Sequence, residues 1–157
     1  RTVIPVQELL DAAGKYFKKL MKNRPERIEL EIESMEAKVI GDVNQLRFLL
    51  ENLIDEALTV REDGVIRLQA RKDNEYIRFL FTDTRREKSV EELNQLFYPN
   101  LARMTSGEKG ELRGTEYLVC KQIIRDHDEF AGRRGCRINA EPAEGGGFTV
   151  YFTIPRR

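Results

Sequence analysis

Histidine and cysteine, two residue types that often act in catalysis and metal binding, are scarce in this sequence. It contains one histidine, His127, and two cysteines, Cys120 and Cys136. A zinc site needs several such ligands at short spacing, as in a CxxC pair, and neither cysteine belongs to one. We therefore expect no zinc site and a reduced cytosolic setting, while a Cys120–Cys136 disulfide stays open without coordinates. His127 ends a helical segment, where a histidine favours the helix dipole.

A second group of candidates lies in the polar turn FTDTRREKS, residues 81–89. Asp83 follows a segment that alternates apolar and polar residues, so its carboxylate stands at the end of a predicted strand. Such a carboxylate either caps the strand end or accepts hydrogen bonds from a ligand. The residues after it include Arg85 and Glu87, whose side chains need space and disfavour a positive φ.

The composition of the whole chain limits the kind of protein it can be. Its 157 residues are 40% apolar and 34% charged, which is typical of one globular domain. No run of about 18 apolar residues predicts a membrane span. Lys plus Arg and Asp plus Glu are equal at 27, so no surplus charge favours nucleic acid. We expect a single domain over 1–157, cut from a longer protein, without direct membrane or nucleic-acid contact.

The elements that would position these residues follow from apolar periodicity, two capping boxes (Asp42 with Gln45, Ser89 with Glu92) and the positions of glycine and proline. The predicted helices are 7–22, 42–58, a short one between Ser89 and Pro99, and 115–127. The predicted strands are 28–32, 37–41, 64–70, 76–82, 136–140 and 148–154. Residues 100–114 have no apolar stripe and predict a long functional loop. The segment 128–135 is predicted to be an insertion without an assigned role.

This order of elements predicts an α/β (α+β) two-layer sandwich. Its sheet should be mixed and largely antiparallel, with about five strands and a short edge pair, and three helices should cover one face.

Three stretches carry a family resemblance: GDVNQLRFLLENLIDEAL on a helix, FTDT at a strand end, and RGTEYLVCKQIIRDH, followed by GGGFTVYFTIP. In this order they resemble the ATP-binding catalytic domain of bacterial two-component sensor histidine kinases, the GHKL class with the Bergerat fold that gyrase and MutL share. The resemblance runs from Val3 to Pro155. It implies phosphoryl transfer from MgATP to a histidine on a separate dimerisation domain, a response regulator as partner, and a cytoplasmic location.

The resemblance assigns the metal site to the long helix. The family's second asparagine in this helix supplies a neutral ligand to Mg²⁺, and in the register set by Asp42 its place is taken by Glu56. A shifted register puts Asn52 there instead. A carboxylate can ligate Mg²⁺ but adds negative charge beside the phosphates. The family's basic residue falls at Thr59, so a compensating cation is missing unless Arg61 reaches in.

The resemblance places the adenine contact at Asp83, in a motif DxGxG whose glycines are Arg85 and Glu87 in this chain. Phe97 resembles the phenylalanine of a further family motif, although a core position in the short helix is the favoured interpretation, and both can hold. The last glycine motif retains only Gly114, and Glu116 occupies the helix start where phosphate would bind.

Two functions remain after this comparison. The first, which we favour, is a degenerate catalytic domain that acts by contact with its own signalling protein or a response regulator and needs no cofactor. The second is a working domain that binds ATP and Mg²⁺, with 100–114 as the ATP lid; otherwise that loop, with Arg103, Lys109 and Arg113, is a contact surface. The departures gather in one site, and since each misfit costs about 1–3 kcal/mol, a few would abolish micromolar binding.

Overall fold

The computed structural model describes residues 1–99, 105–106, 112–132 and 135–157. The helices are α1 (Val6–Met21), α2 (Val43–Ala57), α3 (Val90–Gln95) and α4 (Glu116–Ala131). The strands are β1 (Thr2–Pro5), β2 (Ile28–Ile32), β3 (Lys38–Gly41), β4 (Gly64–Asp73), β5 (Tyr76–Asp83), β6 (Thr105–Ser106), β7 (Leu112–Arg113), β8 (Ile138–Pro142) and β9 (Phe148–Pro155).

The main sheet has five strands in the order β2-β4-β5-β9-β8. β2 and β4 run parallel, and every other neighbouring pair in this sheet is antiparallel. β1 pairs with β3, and β6 with β7, in two separate antiparallel pairs. The predicted mixed sheet with a short edge pair is therefore confirmed, as is the α+β class.

Strict alternation along β5 determines which side chains enter the core. Ile77, Phe79, Phe81 and Asp83 are all buried, whereas the residues between them are half-buried. Phe79 stacks on Phe152 of β9, with ring centroids 4.8 Å apart. Because side chains on a strand alternate with period two, the last inward position of β5 is taken by a carboxylate.

The helical layer is built around α2. Its apolar stripe is fully buried, and the helix packs against α1 on one side and α4 on the other. The C-terminus of α2 and the end of β5 meet at the same edge of the molecule, where Thr84 donates its N–H to the carbonyl of Val65 on β4. None of the helices in the described part of the chain is long and apolar enough to span a membrane.

One predicted boundary was wrong. α4 does not end at His127 but continues to Ala131, and Gly132 ends it with a φ of 62°. The apolar stripe gave no sign of this last turn because its side chains are largely solvent-facing, with Phe130 62% exposed. Part of the predicted insertion at 128–135 is thus an extension of α4. The predicted loop at 100–114 lies mostly outside the described residues.

Candidate functional site

The site begins with the buried carboxylate of Asp83. Only 3% of the residue is exposed, because β5 delivers its side chain to the core face of the sheet. An ionised carboxylate in such a position requires a cation and hydrogen-bond donors. Both are supplied by a residue two positions further along the chain.

That residue is Arg85, whose guanidinium lies against Asp83 with only 1% of its side chain exposed. Nε donates to Asp83 Oδ1 at 2.9 Å, and Nη2 donates to Oδ2 at 2.8 Å. Nη1 donates to the carbonyl oxygens of Val60 and Glu62, each at 2.9 Å. Nη2 also donates to the carbonyl of Ala57 at 2.6 Å. A guanidinium has five N–H donors, and each has one acceptor here.

Two glycines make room for this arrangement. Gly64 has a φ of 144°, and a Cβ built there would lie 2.6 Å from Arg85 Cγ. Gly147 has a φ of 85°, and its Cβ would lie 2.1 Å from the carbonyl oxygen of Asp83. Neither Arg85 nor Glu87 has a positive φ, so the turn after β5 differs from one that needs glycine at these positions.

Arg85 also contacts the C-terminal end of α2. The carbonyl of Ala57, the last residue of this helix, belongs to the end that carries partial negative charge, and the carbonyl of Val60 lies three residues beyond it. A cation that donates to these carbonyls is favourable at a helix C-terminus. The guanidinium therefore contacts the Asp83 carboxylate and the last carbonyl of α2 at the same time.

The two predicted metal ligands lie on α2. Asn52 is 7% exposed, and its Nδ2 donates to the carbonyl of Phe48, 2.7 Å away on the preceding turn. Glu56 is half-buried one turn later. Within the described residues, no three His, Cys, Asp or Glu side chains lie close enough together to hold a metal ion. The metal role of Asn52 and Glu56 therefore stays a prediction.

Acidic side chains gather where α4 begins. Glu116, its first residue, has a buried Oε2 without a hydrogen bond to any described residue. Burial raises the pKa of Asp55, and the negative charge of Glu116 raises it further. Burial likewise raises the pKa of the Cys120 thiol, with contributions from Glu116 and Glu56. The local field at this helix start is negative, which opposes an incoming phosphate.

No basic residue offsets this field in the positions that the sequence suggested. Thr59 donates its hydroxyl to the carbonyl of Glu56 at 2.7 Å. Arg61 lines the same pocket as Glu116, but its Nη1 donates to Glu26 at 3.0 Å, with 66% of its side chain exposed.

Phe97 and Gly114 are the remaining predicted site residues. Phe97 is 7% exposed and packs edge-on against Tyr117, with centroids 5.7 Å apart. It therefore serves the core, whatever else it contacts. Gly114 has a φ of 81° and precedes Thr115, the N-cap residue of α4.

His127 belongs to a different cluster, at the N-terminus of α2. Its Nδ1 donates to the carbonyl of Ile123 at 2.8 Å, and its Nε2 accepts from the backbone N–H of Asp42 at 3.1 Å and from Arg1 at 3.2 Å. Burial lowers the pKa of the imidazole. The Asp42 carboxylate accepts from the N–H of Gln45, but His127 takes the place that the Gln45 side chain has in a full capping box.

Sequence reasoning missed the bond between Arg85 and Asp83. It treated Arg85 as a lost glycine and asked only what the side chain would exclude. The available signal was the Asp-x-Arg spacing at a strand end, together with Gly64, and this signal is weak because many turns contain such pairs. Which carbonyls the guanidinium would meet depends on how α2 packs against the sheet.

The fold, with helices on one face of a mixed sheet, is that of an ATPase-type domain. The family of histidine kinase-, DNA gyrase B- and HSP90-like ATPases matches residues 41–157, so the chain belongs to this family. A comparison with curated protein sequences gave no match.

Solved structures agree with this assignment. The nucleotide-free catalytic domain of histidine kinase ThkA has a TM-score of 0.75 at 22% identity, covering 99% of this chain and 95% of that one. The mycobacterial sensor histidine kinase MprB has a TM-score of 0.73 at 18% identity, covering 99% and 97%. ThkA in complex with the response regulator TrrA has a TM-score of 0.73 at 20% identity, covering 99% of this chain and 42% of that one. At these identities the likeness concerns the fold.

Proposed function

We propose that this chain is a degenerate histidine-kinase ATPase-like domain that has lost adenine-nucleotide binding and acts in signalling through protein contact. The observation that carries the proposal is the position of Arg85. Its guanidinium donates to both carboxylate oxygens of Asp83, the residue to which the family resemblance assigns the adenine contact.

The energetic argument concerns what a nucleotide must displace. An adenine that reached Asp83 would have to displace a guanidinium that makes five hydrogen bonds. The buried carboxylate of Asp83 would then lose the cation that balances its charge. Breaking a buried ion pair by removing one partner costs about 3–5 kcal/mol. At about 1.4 kcal/mol for each factor of ten, this weakens binding by roughly two to four orders of magnitude.

The phosphate end gives independent support. A triphosphate at the start of α4 would meet Glu116. Arg24 and Arg61 line the same pocket, but both are ion-paired with Glu26, which weakens their compensation of that negative charge. Glu116 would repel the phosphates of a nucleotide, and Arg85 already occupies the place of its adenine. The residues present do not fit MgATP, and we assign them no catalytic step.

The partners we propose are the dimerisation and phosphoacceptor domain of the same signalling protein and a response regulator, at a cytoplasmic location. The structure of ThkA with the response regulator TrrA supports the second partner, because the fold of this chain is similar to that of ThkA. In this role the domain acts through its surface rather than through bound nucleotide.

The test is isothermal titration calorimetry of the wild-type domain with ADP and a non-hydrolysable ATP analogue, each with and without Mg²⁺. We expect no saturable heat up to millimolar nucleotide and no change in thermal unfolding, since a ligand that binds only the folded state must raise the melting temperature. A nucleotide-binding histidine kinase catalytic domain under the same conditions is the positive control. Saturable Mg²⁺-dependent binding at micromolar concentration would contradict the proposal and favour a working MgATP domain that uses Asp83 with Asn52 or Glu56.

A further inference from the structure

We infer that the pocket around Asp83 is a guanidinium site, which its own chain fills through Arg85, and that emptying it creates a receptor for a small planar cation and not an adenine pocket. The inference rests on the proposed function, in which no nucleotide occupies this site. The ligand class that it assigns to the pocket around Asp83 is a small planar cation.

The first argument is the chemistry of the pocket lining. The five atoms that contact the guanidinium are the two Asp83 carboxylate oxygens and three backbone carbonyl oxygens, from Ala57, Val60 and Glu62. All five accept hydrogen bonds, and none donates. A ligand for this lining must therefore present donors around its whole edge.

Guanidinium meets this requirement, whereas adenine does not. A free guanidinium ion is planar and carries N–H donors in every in-plane direction. Adenine offers donors only at its amino group, while its ring nitrogens accept. An adenine amino group on Asp83 would leave the carbonyls of Val60 and Glu62 opposite ring acceptors or without partners.

The second argument is charge. The Asp83 side chain is 5% exposed, and Arg85 is its ion-pair partner at 2.8 Å. Without the arginine side chain, the buried carboxylate has no cation and favours any positive ligand that fits. Neutral planar molecules satisfy the same shape without restoring this charge balance.

The third argument is space. The missing Cβ of Gly64 leaves room for the arginine stem, because a Cβ there would lie 2.6 Å from Arg85 Cγ. Truncation to alanine at position 85 removes the stem and the guanidinium but leaves every acceptor in place. Three of the five acceptors lie on α2 and β5, and the carbonyls of Val60 and Glu62 lie between α2 and β4. The space that remains is that of the removed arginine side chain, so it can hold a guanidinium ion.

The test is thermal unfolding of Arg85→Ala in guanidinium chloride at concentrations far below those that denature proteins, with sodium chloride at equal ionic strength. Urea is the matched ligand control, because it is planar and of similar size but neutral. The matched variant control is Arg86→Ala, which removes the neighbouring arginine of the same turn, whose ion pair with Glu62 is exposed. Wild type is titrated in parallel with guanidinium, MgADP and a non-hydrolysable MgATP analogue.

We expect guanidinium to raise the melting temperature of Arg85→Ala in a saturable way, with no rise from urea or sodium chloride and none in wild type or Arg86→Ala. If Arg85→Ala is unfolded without ligand, recovery of the folded circular dichroism spectrum by guanidinium replaces the melting temperature as readout. No saturable stabilisation, or no recovery, overturns the inference. Nucleotide binding by Arg85→Ala in preference to guanidinium also overturns it, although the proposed function then stands. Nucleotide binding by wild type instead contradicts the proposed function.

Discussion

At its N-terminus α2 presents N–H groups to the cluster of Asp42 and His127, and at its last residue it presents the carbonyl of Ala57 to Arg85. Each end is thus closed by a side chain from elsewhere in the chain. The N-terminal end receives a neutral acceptor, the imidazole Nε2, together with the Asp42 carboxylate. The C-terminal end receives a permanent cation whose charge is balanced by the buried Asp83.

The difference shows why one cluster supports the fold at small cost while the other has consequences for function. Asp42 and His127 satisfy N–H groups that every helix start exposes, so the cluster is structural. Arg85 donates to the last carbonyl of α2 and to two carbonyls just beyond it, but its charge must be neutralised, and the group that neutralises it is Asp83, the carboxylate that we predict as the family's adenine contact. On this prediction, Arg85 and a nucleotide would compete for Asp83.

The largest effect on this comparison should come from Arg85→Ala. We expect a loss of about 3–5 kcal/mol in the free energy of unfolding, because Asp83 is left as an uncompensated buried charge. Urea denaturation measures it, and the double variant Asp83→Ala/Arg85→Ala should recover part of the loss. Arg86→Ala, the exposed control, should change stability by no more than about 0.5 kcal/mol. A loss in Arg85→Ala as small as in the control would mean that water replaces the guanidinium without cost.

A smaller effect is expected from Gly64→Ala, which should cost about 1–3 kcal/mol. Alanine at position 64 would have to keep a φ of 144°, and its Cβ would lie 2.6 Å from Arg85 Cγ. Gly145→Ala is the control, because its φ of 88° is also strained but nothing lies within 4 Å of its Cβ. In the Arg85→Ala background, urea denaturation should show a smaller loss of unfolding free energy for Gly64→Ala. The loss for Gly145→Ala should be the same in both backgrounds. Equal costs of Gly64→Ala in both backgrounds would show that the backbone, and not Arg85, requires this glycine.

The smallest effect is a pH dependence confined to the N-terminal cluster. Burial lowers the pKa of His127 from the ordinary value of 6.5, so below pH 6.5 the unfolded chain binds a proton that the folded chain does not. Stability should therefore be full above pH 6.5 and decline as the pH falls through the folded pKa. The charged groups around His127 are Arg1, Asp42 and Asp126, and the pKa of Asp42 is lowered from 3.8, so Asp42 acts in a more acidic window.

Urea denaturation of wild type and His127→Gln between pH 5 and pH 8 tests this, since 5 to 8 is roughly the range in which histidine titrates in proteins. The glutamine variant should lose the decline below pH 6.5. Arg86→Ala should keep it, because it removes only an exposed ion pair of a guanidinium that stays charged throughout. A decline that persists in His127→Gln would assign the proton to another group.

Much of the fold was accessible from periodicity. The apolar stripe of α2 and the alternation of β5 predicted both elements to within about two residues, the accuracy expected of such patterns. The last turn of α4 was missed because its residues are mostly exposed and leave no apolar repeat. The candidate site was located through Asp83, but the partner of Asp83 was not.

The sequence by itself determined which residues enter the core, because burial of apolar side chains follows the period of each element and needs only local information. It also determined that a carboxylate ends β5 on the inward face. Only the tertiary structure decided what that carboxylate binds. The carbonyls of Ala57, Val60 and Glu62 become a guanidinium site when α2 packs against the sheet beside Asp83. Hydrogen bonds depend on distances and angles that no spacing in the sequence specifies.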